Sequence, residues 1–557
     1  MGTLLCKEEA LMSQRLSTAR SLESSNCSTS RRPSLMQNYP QQNYFVFDQI
    51  CFDSRFEGGN LLHAEKAEPN RYNLWIASDC YKTPNEGKYR IWFYFSVSNL
   101  SLNDESNTYT FKIKNMSKAL HQNYVNGMVP VYSAPSTTYE WKYLPTPLKE
   151  VKLIKSALDV TFEYSFTAED VTDKVFFAFS FPYTYTQGVD FLAQLEKNFS
   201  NHPDIYFHKE LLTHSLEGRN IDLLTITAHD PSIFSARQSP EQEPLLDNLF
   251  PNHSMLAITP AALGMEDSIQ RPYIFRRKRY ILISARVNAC EAPGNYMLEG
   301  FLKALLNKSD PTSRILLQNF VFVVIPMLNP DGVYRGHFRT DSKGNNLDRV
   351  YNSLEENWKS YPSIYALSKI AKSLCDGRLV MYLDLHAHIS KNSGFIVGEN
   401  PQDLQERTET RLFAALFDVY SKNFNANSCV FKNLKLEEEM NRDAKSEMIR
   451  KADLTHSYRL ECGYYKGTKD PERYGRQNTE KNLEKEVEGK LDIKAYEEIG
   501  AGLRHVLLEV FAEHPNSQVA QTWLGSVQNI RNTIYEALSK EKDEEKIEAL
   551  LKFDLSN

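Results

Sequence analysis

The sequence predicts an α/β fold, a mixed-sheet domain preceded by an antiparallel β-sandwich, and three observations predict it. Between residues 44 and 182, aromatic and β-branched runs at 90–97, 109–114 and 175–181 are separated by Asn, Gly and Pro. Most have no helical segment between them, which is the pattern of a small antiparallel sandwich. Between 183 and 515, the runs at 280–287, 320–325 and 380–385 are almost continuously apolar, as strands covered on both faces must be. Helical spacing at 190–198 and 295–306 alternates with them, as in an α/β domain. The third observation is positional. The buried strands end at polar motifs, where open α/β sheets carry their functional groups.

Taken in order, residues 1 to about 43 are rich in Ser, Arg, Asn and Gln with little apolar periodicity, and a disordered tail is expected there. Within it, Arg31-Arg32-Pro33-Ser34-Leu35 has the form of a basophilic kinase site, but reads first as a solvated basic patch in the tail. The sandwich domain runs over 44–182 and ends at Pro182 and the Thr-Tyr-Thr stretch after it. The α/β domain runs over 183–515. It includes a strand at 221–226 and, at 233–270, a Pro-containing stretch without periodicity that reads as a long surface loop. Charged helices follow at 516–557, with 540–546 solvated. The basic run 276–279 precedes the strand whose far end carries Asn288. About eight residues of strand put it about 26 Å away, at the opposite edge of the sheet.

A chain of 557 residues, 41% of them apolar, has room for about two or three domains. Its net charge of −6 argues against a nucleic-acid partner. No run reaches transmembrane length and the N-terminus lacks the apolar core of a signal peptide, so a cytoplasmic protein with no membrane partner is expected. The eight cysteines show no paired spacing, as expected of reduced thiols. Met1-Gly2 is followed by Cys6 without the Ser/Thr of the myristoylation pattern.

Candidate functional residues fall at strand ends. Ala285-Arg286-Val287-Asn288-Ala289-Cys290-Glu291 ends one strand, and Leu383-Asp384-Leu385-His386 ends another, with His388 and Lys391 just after it. Asn329-Pro330-Asp331-Gly332, the segment 335–341 and the pair Asp348-Arg349 lie between them, and Ser457-Tyr458-Arg459-Leu460-Glu461 lies beyond. A hydrolytic zinc site needs three protein ligands and an open position for a water, whose pKa the metal lowers to near neutrality. Glu291 and His386 are ligand types for such a site. Asn288 is a neutral and weak amide donor. Cys290 is a soft donor by type, but reads first as a buried thiol. Arg349 can bond a carboxylate bidentately, while Arg459 and Glu461, alternate residues of a strand, face the same way.

This order and spacing resemble the zinc metallocarboxypeptidases. The extended match at 329–341 is most similar to the fifth subtype of the cytosolic carboxypeptidases, which acts on glutamylated tubulin tails. The likeness spans roughly 44–515 and includes Ser54-Arg55-Phe56-Glu57-Gly58-Gly59-Asn60-Leu61. It implies a metallocarboxypeptidase fold for the α/β domain and one zinc ion as cofactor, held by Glu291, His386 and position 288, converging at the carboxyl edge of the sheet. It implies Glu461 as catalytic base and Arg339 polarising the scissile carbonyl, the counterpart of an oxyanion donor. Substrate binding is implied for Asn329 and for Arg349 with its neighbour Asp348; Arg459, standing where the family has Thr, can recognise an acidic side chain and can equally pair with Glu461. The implied partners are acidic protein tails, glutamylated tubulin above all, and the implied location is cytoplasmic and microtubule-associated.

The departures are specific. The family's His-Pro-Gly-Glu reads Asn288-Ala289-Cys290-Glu291, its Asn-Arg pair reads Asp348-Arg349, and its Ser-Tyr-Thr-Leu reads Ser457-Tyr458-Arg459-Leu460. The segment 440–445 lacks the Gly-rich turn of the relatives, and no tyrosine is assigned as proton donor. Two functions are compatible with this set. One is a carboxypeptidase that removes glutamates, using the retained Glu291, His386, Arg339, Arg349 and Glu461. The other is a catalytically impaired pseudo-carboxypeptidase that binds glutamylated tails or a partner without cleavage, since losing a zinc ligand costs the activated water. A purely structural interaction protein is a third possibility.

Overall fold

Alternation of buried and half-exposed residues along Thr108–Ser117 marks a strand packed on one face, and it belongs to a two-layer β domain. The architecture is that of a computed structural model. It describes residues 42–98, 107–230, 241–243, 271–351, 354–432, 454–467, 489–522 and 525–540. The strands of the first domain are β1 (Tyr44–Phe47), β2 (Ile50–Asp53), β3 (His63–Glu68), β4 (Arg71–Trp75) and β5 (Tyr94–Ser98). They continue with β6 (Thr108–Ser117), β7 (Val131–Ser133), β8 (Lys142–Tyr143), β9 (Glu150–Ile154), β10 (Ala157–Ser165) and β11 (Val175–Ala178). One sheet has the order β1-β2-β5-β11-β7-β8 and the other β3-β4-β6-β10-β9. The layer between them is aromatic: Phe52, Phe95, Phe111, Phe162 and Phe177 are fully buried, with the Phe111 and Phe177 rings 5.5 Å apart. The sandwich departs from the expected antiparallel pattern at one pair, since β4 and β6 run parallel. The chain between them passes through β5 in the opposite sheet and returns in the same direction.

The second domain is built on an eight-stranded mixed sheet of order β12-β13-β15-β14-β16-β19-β17-β18. Its strands are β12 (Ile205–His214), β13 (Asn220–Ala228), β14 (Arg279–Ala285), β15 (Phe320–Ile325), β16 (Leu379–His388), β17 (Gly394–Glu399), β18 (Val430–Lys432) and β19 (His456–Gly463). The central β15, β14, β16 and β19 are parallel, so their carboxyl ends, and the motifs that follow them, share one edge. The helices α1 (Tyr185–Phe199), α2 (Ala292–Leu305), α3 (Pro311–Asn319), α4 (Pro362–Ser373), α5 (Leu404–Tyr420), α6 (Ile493–Phe511) and α7 (Val527–Lys540) cover it. Helices α2 and α6 approach backbone to backbone. A Cβ at Gly500 would stand 1.8 Å from the Met297 carbonyl oxygen, and one at Gly300 2.1 Å from that of Glu497. The opposite face of the sheet packs Tyr280, Leu282, Val323 and Tyr382 under Ile364, Leu367 and Ile370 of α4. Helix α7 carries charge outward but buries Ile530, Ile534 and Leu538 in the same core as α2 and α6.

The basic run lies at the amino end of β14, opposite the motif edge, as expected. Its members have unlike roles. Arg276 is exposed and pairs with Glu241 at 2.7 Å. Arg279 lies over the rings of Phe320 and Phe511, 4.7 and 5.7 Å from their centroids. Lys278 is buried and donates to Thr227 Oγ1 at 2.9 Å, the Ala228 carbonyl at 2.8 Å and the Leu317 carbonyl at 3.1 Å. The tail 1–41, with its Arg31–Leu35 motif, the stretch 244–270, the segment 440–445 and residues 541–557 lie outside the described residues.

One histidine in this core ties stability to pH. His456, at the start of β19, has Phe413 and Phe511 for neighbours and its Nδ1 is 2.9 Å from the Tyr458 hydroxyl. Burial pushes its pKa down to about 4, below the ordinary value near 6.5. The folded chain therefore binds fewer protons than the unfolded chain between these values, and this contribution to stability is lost as pH falls from about 6.5 to about 4. The melting temperature should fall over that window, and less steeply in His456→Phe. An equal slope in both proteins would contradict the assignment.

Candidate functional site

The β14 strand ends in a left-handed residue, Arg286, with φ +59°. Its buried guanidinium fixes the turn that follows. It donates to the Ala289 carbonyl at 2.7 Å, Asn295 Oδ1 at 2.8 Å and the Tyr183 carbonyl at 3.0 Å. The turn is also paired to the segment carrying Arg339, through Cys290 N–H to the Phe338 carbonyl at 2.9 Å. The result is that Asn288, Glu291 and His386 converge at the carboxyl edge of the sheet. Asn288 Nδ2 donates to Glu291 Oε1 at 2.9 Å and lies 3.4 Å from His386 Nδ1, which is itself 2.8 Å from Glu291 Oε2. The Ala387 N–H also reaches Glu291 Oε2, at 3.1 Å.

The other face of the imidazole is held by Asp384, whose Oδ2 is 2.8 Å from His386 Nε2 and whose Oδ1 accepts from the Ser284 hydroxyl at 2.7 Å. Sequence reading gave Asp384 no role. The signal was present in its spacing, since alternate residues of a strand face the same way. Burial opposes charge on His386, but the carboxylates of Asp384 and Glu291 outweigh it and hold the ring proton up to about 10. Burial likewise opposes charge on Glu291, and is outweighed by His386, Arg339 and the Ala387 N–H, so its pKa is lowered.

Beside this triad, three arginines gather on one carboxylate oxygen. Asp348 is fully buried. Its Oδ2 is 3.0 Å from Arg459 Nη2, 3.5 Å from Arg339 Nη2 and 3.6 Å from Arg349 Nη1. Its Oδ1 has no hydrogen-bond partner among the described residues. Strands β16 and β19 pair Asp384 with Arg459 and His386 with Glu461. This sets Arg459 Nε 3.5 Å from Glu461 Oε1. Arg349 is the most open of the three cations, with 36% of its side chain exposed.

Two further motif residues have partners within the fold, and for Cys290 the buried-thiol reading is the one that matches. Asn329 has its amide taken up by backbone groups. It is buried, with Oδ1 accepting from the Gly332 N–H at 3.0 Å and Nδ2 donating to the Val287 and Thr340 carbonyls at 3.2 and 3.1 Å. Both ends of its amide thus brace the motif loops. Cys290 turns away from the triad into the aromatic core of the β domain, with Sγ 3.3 Å from the Tyr464 hydroxyl. Burial pushes its thiol pKa up.

Comparison with known proteins agrees with this geometry. A family model described as zinc carboxypeptidase matches residues 191–389, and one described as cytosolic carboxypeptidase N-terminal domain matches 52–179. Side by side, the two models are the domain pairing of the cytosolic carboxypeptidase family. Among its relatives, human cytosolic carboxypeptidase-like protein 5 is 28% identical over 544 residues, covering 75% of this chain and 58% of the relative. Cytosolic carboxypeptidase 6 of Caenorhabditis elegans is 29% identical over 390 residues, covering 67% of this chain and 72% of the relative. The chain thus spans little more than half the length of several cytosolic carboxypeptidases that it matches. A metallo-carboxypeptidase structure from Burkholderia cenocepacia superposes with a TM-score of 0.57 at 18% identity, covering 83% of this chain and 98% of its own. That likeness shows the shared fold.

A cytosolic carboxypeptidase implies zinc, and the residues present fit it poorly. The Asn288 amide turns its NH2 toward the point where Glu291 and His386 meet, while its Oδ1 has no hydrogen-bond partner among the described residues. A donor N–H stands where a metal needs a lone pair. Loading zinc between these groups requires the amide to turn over and His386 Nδ1 to give up its proton. Even then, one ligand is a weak amide oxygen. A second cluster, Asp348, Asp384 and His386, has ligand atoms within 4.8 Å of one another. It uses the opposite face of the same imidazole, and the three guanidiniums around Asp348 oppose a cation there.

Proposed function

We propose that this cytosolic carboxypeptidase captures acidic carboxyl-terminal protein tails, of which glutamylated tubulin tails are the type, and holds them without efficient cleavage. The observation that carries the reading is the pairing of an arginine cluster with a metal position that Asn288 closes. Arg339, Arg349 and Arg459 lie within 3.6 Å of one carboxylate oxygen, so the pocket can surround an anion even though the chain as a whole carries −6. An incoming tail carboxylate competes with Asp348 for these groups, and Arg349, the most exposed, meets it first. Zinc, when bound to a member of this family, supplies an activated water. Here His386 is paired on both nitrogens, and Glu461 Oε1 lies 3.5 Å from Arg459 Nε. A second reading, removal of glutamates, is supported by the retention of Glu291, His386, Arg339, Arg349 and Glu461 around one edge of the sheet. A cytoplasmic, microtubule-associated setting goes with the cytosolic carboxypeptidase match and the tubulin-tail reading; among the described residues no helix is long and apolar enough to cross a membrane.

Binding of a polyglutamate-tailed peptide, followed by fluorescence anisotropy, should weaken steadily as salt rises from low to physiological strength. A neutral peptide of the same length should bind at least about tenfold more weakly at low salt. Equal affinity for the two peptides would sink the reading.

A further inference from the structure

The segment that carries Arg339 is not held by its own domain alone. Asp79, just after β4 in the β domain, is buried. Its carboxylate accepts from the backbone N–H groups of Phe338 at 2.6 Å, Arg339 at 2.8 Å and Thr340 at 2.8 Å, and from the Thr340 hydroxyl at 3.1 Å. Successive N–H groups aimed at one carboxylate form an anion cradle, and charge-assisted bonds of this kind are strong. The same segment hands the constraint on. Its carbonyls at Phe338 and Arg339 accept from the N–H groups of Cys290 and Ala289 at 2.9 and 3.4 Å, inside the turn that carries Asn288 and Glu291. Other ties flank it: Gly58 N–H donates to the Tyr334 carbonyl at 2.9 Å, Cys80 N–H lies 3.4 Å from His337 Nε2, and the exposed Asn85 Nδ2 donates to the Lys343 carbonyl at 2.9 Å.

We propose that Asp79 is a positioning residue for the tail-binding pocket, so that the β domain is an obligatory part of that pocket rather than an appended module. The inference rests on the reading that Arg339 meets the tail. One carboxylate sets the backbone from which Arg339 projects and, through two further hydrogen bonds, the turn bearing Asn288 and Glu291. In Asp79→Asn, one oxygen is replaced by an NH2 that faces N–H donors, so the cradle opens without a change in size.

The test uses the full chain. Peptide affinity is measured for wild type, Asp79→Asn and Asn85→Ala with a polyglutamate-tailed peptide, alongside amide hydrogen exchange and thermal melting. Asp79→Asn should bind about tenfold more weakly, the effect of losing roughly one charge-assisted bond's worth of positioning. Exchange should quicken at 338–340 and at 289–290, while Asn85→Ala should match wild type in both readouts. Unchanged peptide affinity, or unchanged exchange at 338–340, would overturn the inference. Should Asp79→Asn fail to fold, exchange in the wild type decides: strong protection of the 338–340 amides supports the cradle, and loop-like exchange refutes it. A wild type that binds no acidic peptide would instead defeat the functional reading, with the exchange data still deciding the role of Asp79.

Discussion

Asn288→His should raise zinc affinity by on the order of 100-fold or more, since even partners outside the ligand set contribute up to about that much. The imidazole removes the amide donor that now bonds Glu291 Oε1 and faces His386 Nδ1, and presents a ring nitrogen of the type zinc prefers. Isothermal titration with zinc at fixed pH reads the change. Glutamate release should rise far less than metal affinity, because Asp348 still engages the substrate cations and Arg459 still stands beside Glu461. Adding Asp348→Asn and Arg459→Thr should then raise release by more than the sum of the single effects, since all three positions serve one bound tail. Equal zinc affinity in wild type and Asn288→His would show that the amide is as good a ligand as imidazole here.

Asp348→Asn should both loosen the free protein and strengthen its hold on acidic tails. Removing one charge from a buried group of ions leaves the others uncompensated, at a cost of about 3 kcal/mol. In this case three guanidiniums lose their shared anion. A tail carboxylate replaces it, so peptide affinity should rise by about tenfold or more. Peptide should also raise the melting temperature of the variant by more than it raises that of the wild type. Denaturant unfolding and peptide titration together check this. A variant that is destabilised and binds no better would mean that Asp348 holds the pocket in shape and does not compete with the tail.

The α/β frame was legible because its strands bury both faces. Residues 320–325 were read as a strand from their continuous apolar run and form one over the same span. The 94–98 strand was read as longer because Ile91, Trp92 and Phe93 are as apolar as strand residues. They lie in the core outside the strand, although the Phe93 carbonyl still accepts from the Phe179 N–H at 3.0 Å, and burial alone cannot separate the two cases. The parallel β4–β6 pair was hidden because it depends on β5 joining the opposite sheet, a long-range event. At the site, the motif residues were found by spacing, yet their partners were not. Asp348 reads as a loop acid beside Arg349, and only the fold brings Arg339 and Arg459 onto the same oxygen. The partners of Asn329 are hidden in the same way, since its amide bonds backbone groups that include the Val287 carbonyl of a loop distant in sequence. Asp79 carries no local signal, since its four donors lie some 260 residues away in the chain.

Capture of acidic tails without efficient cleavage is decided by one paired measurement on the wild-type full chain. The protein is equilibrated with zinc, freed of unbound metal, and given a polyglutamate-tailed peptide, with bound zinc, bound peptide and released glutamate all quantified. Saturable peptide binding is expected, with zinc well below one ion per chain and no more glutamate release than in a chelator-treated sample. Stoichiometric zinc accompanied by catalytic release of glutamate would contradict it, and would make Asn288 a working ligand.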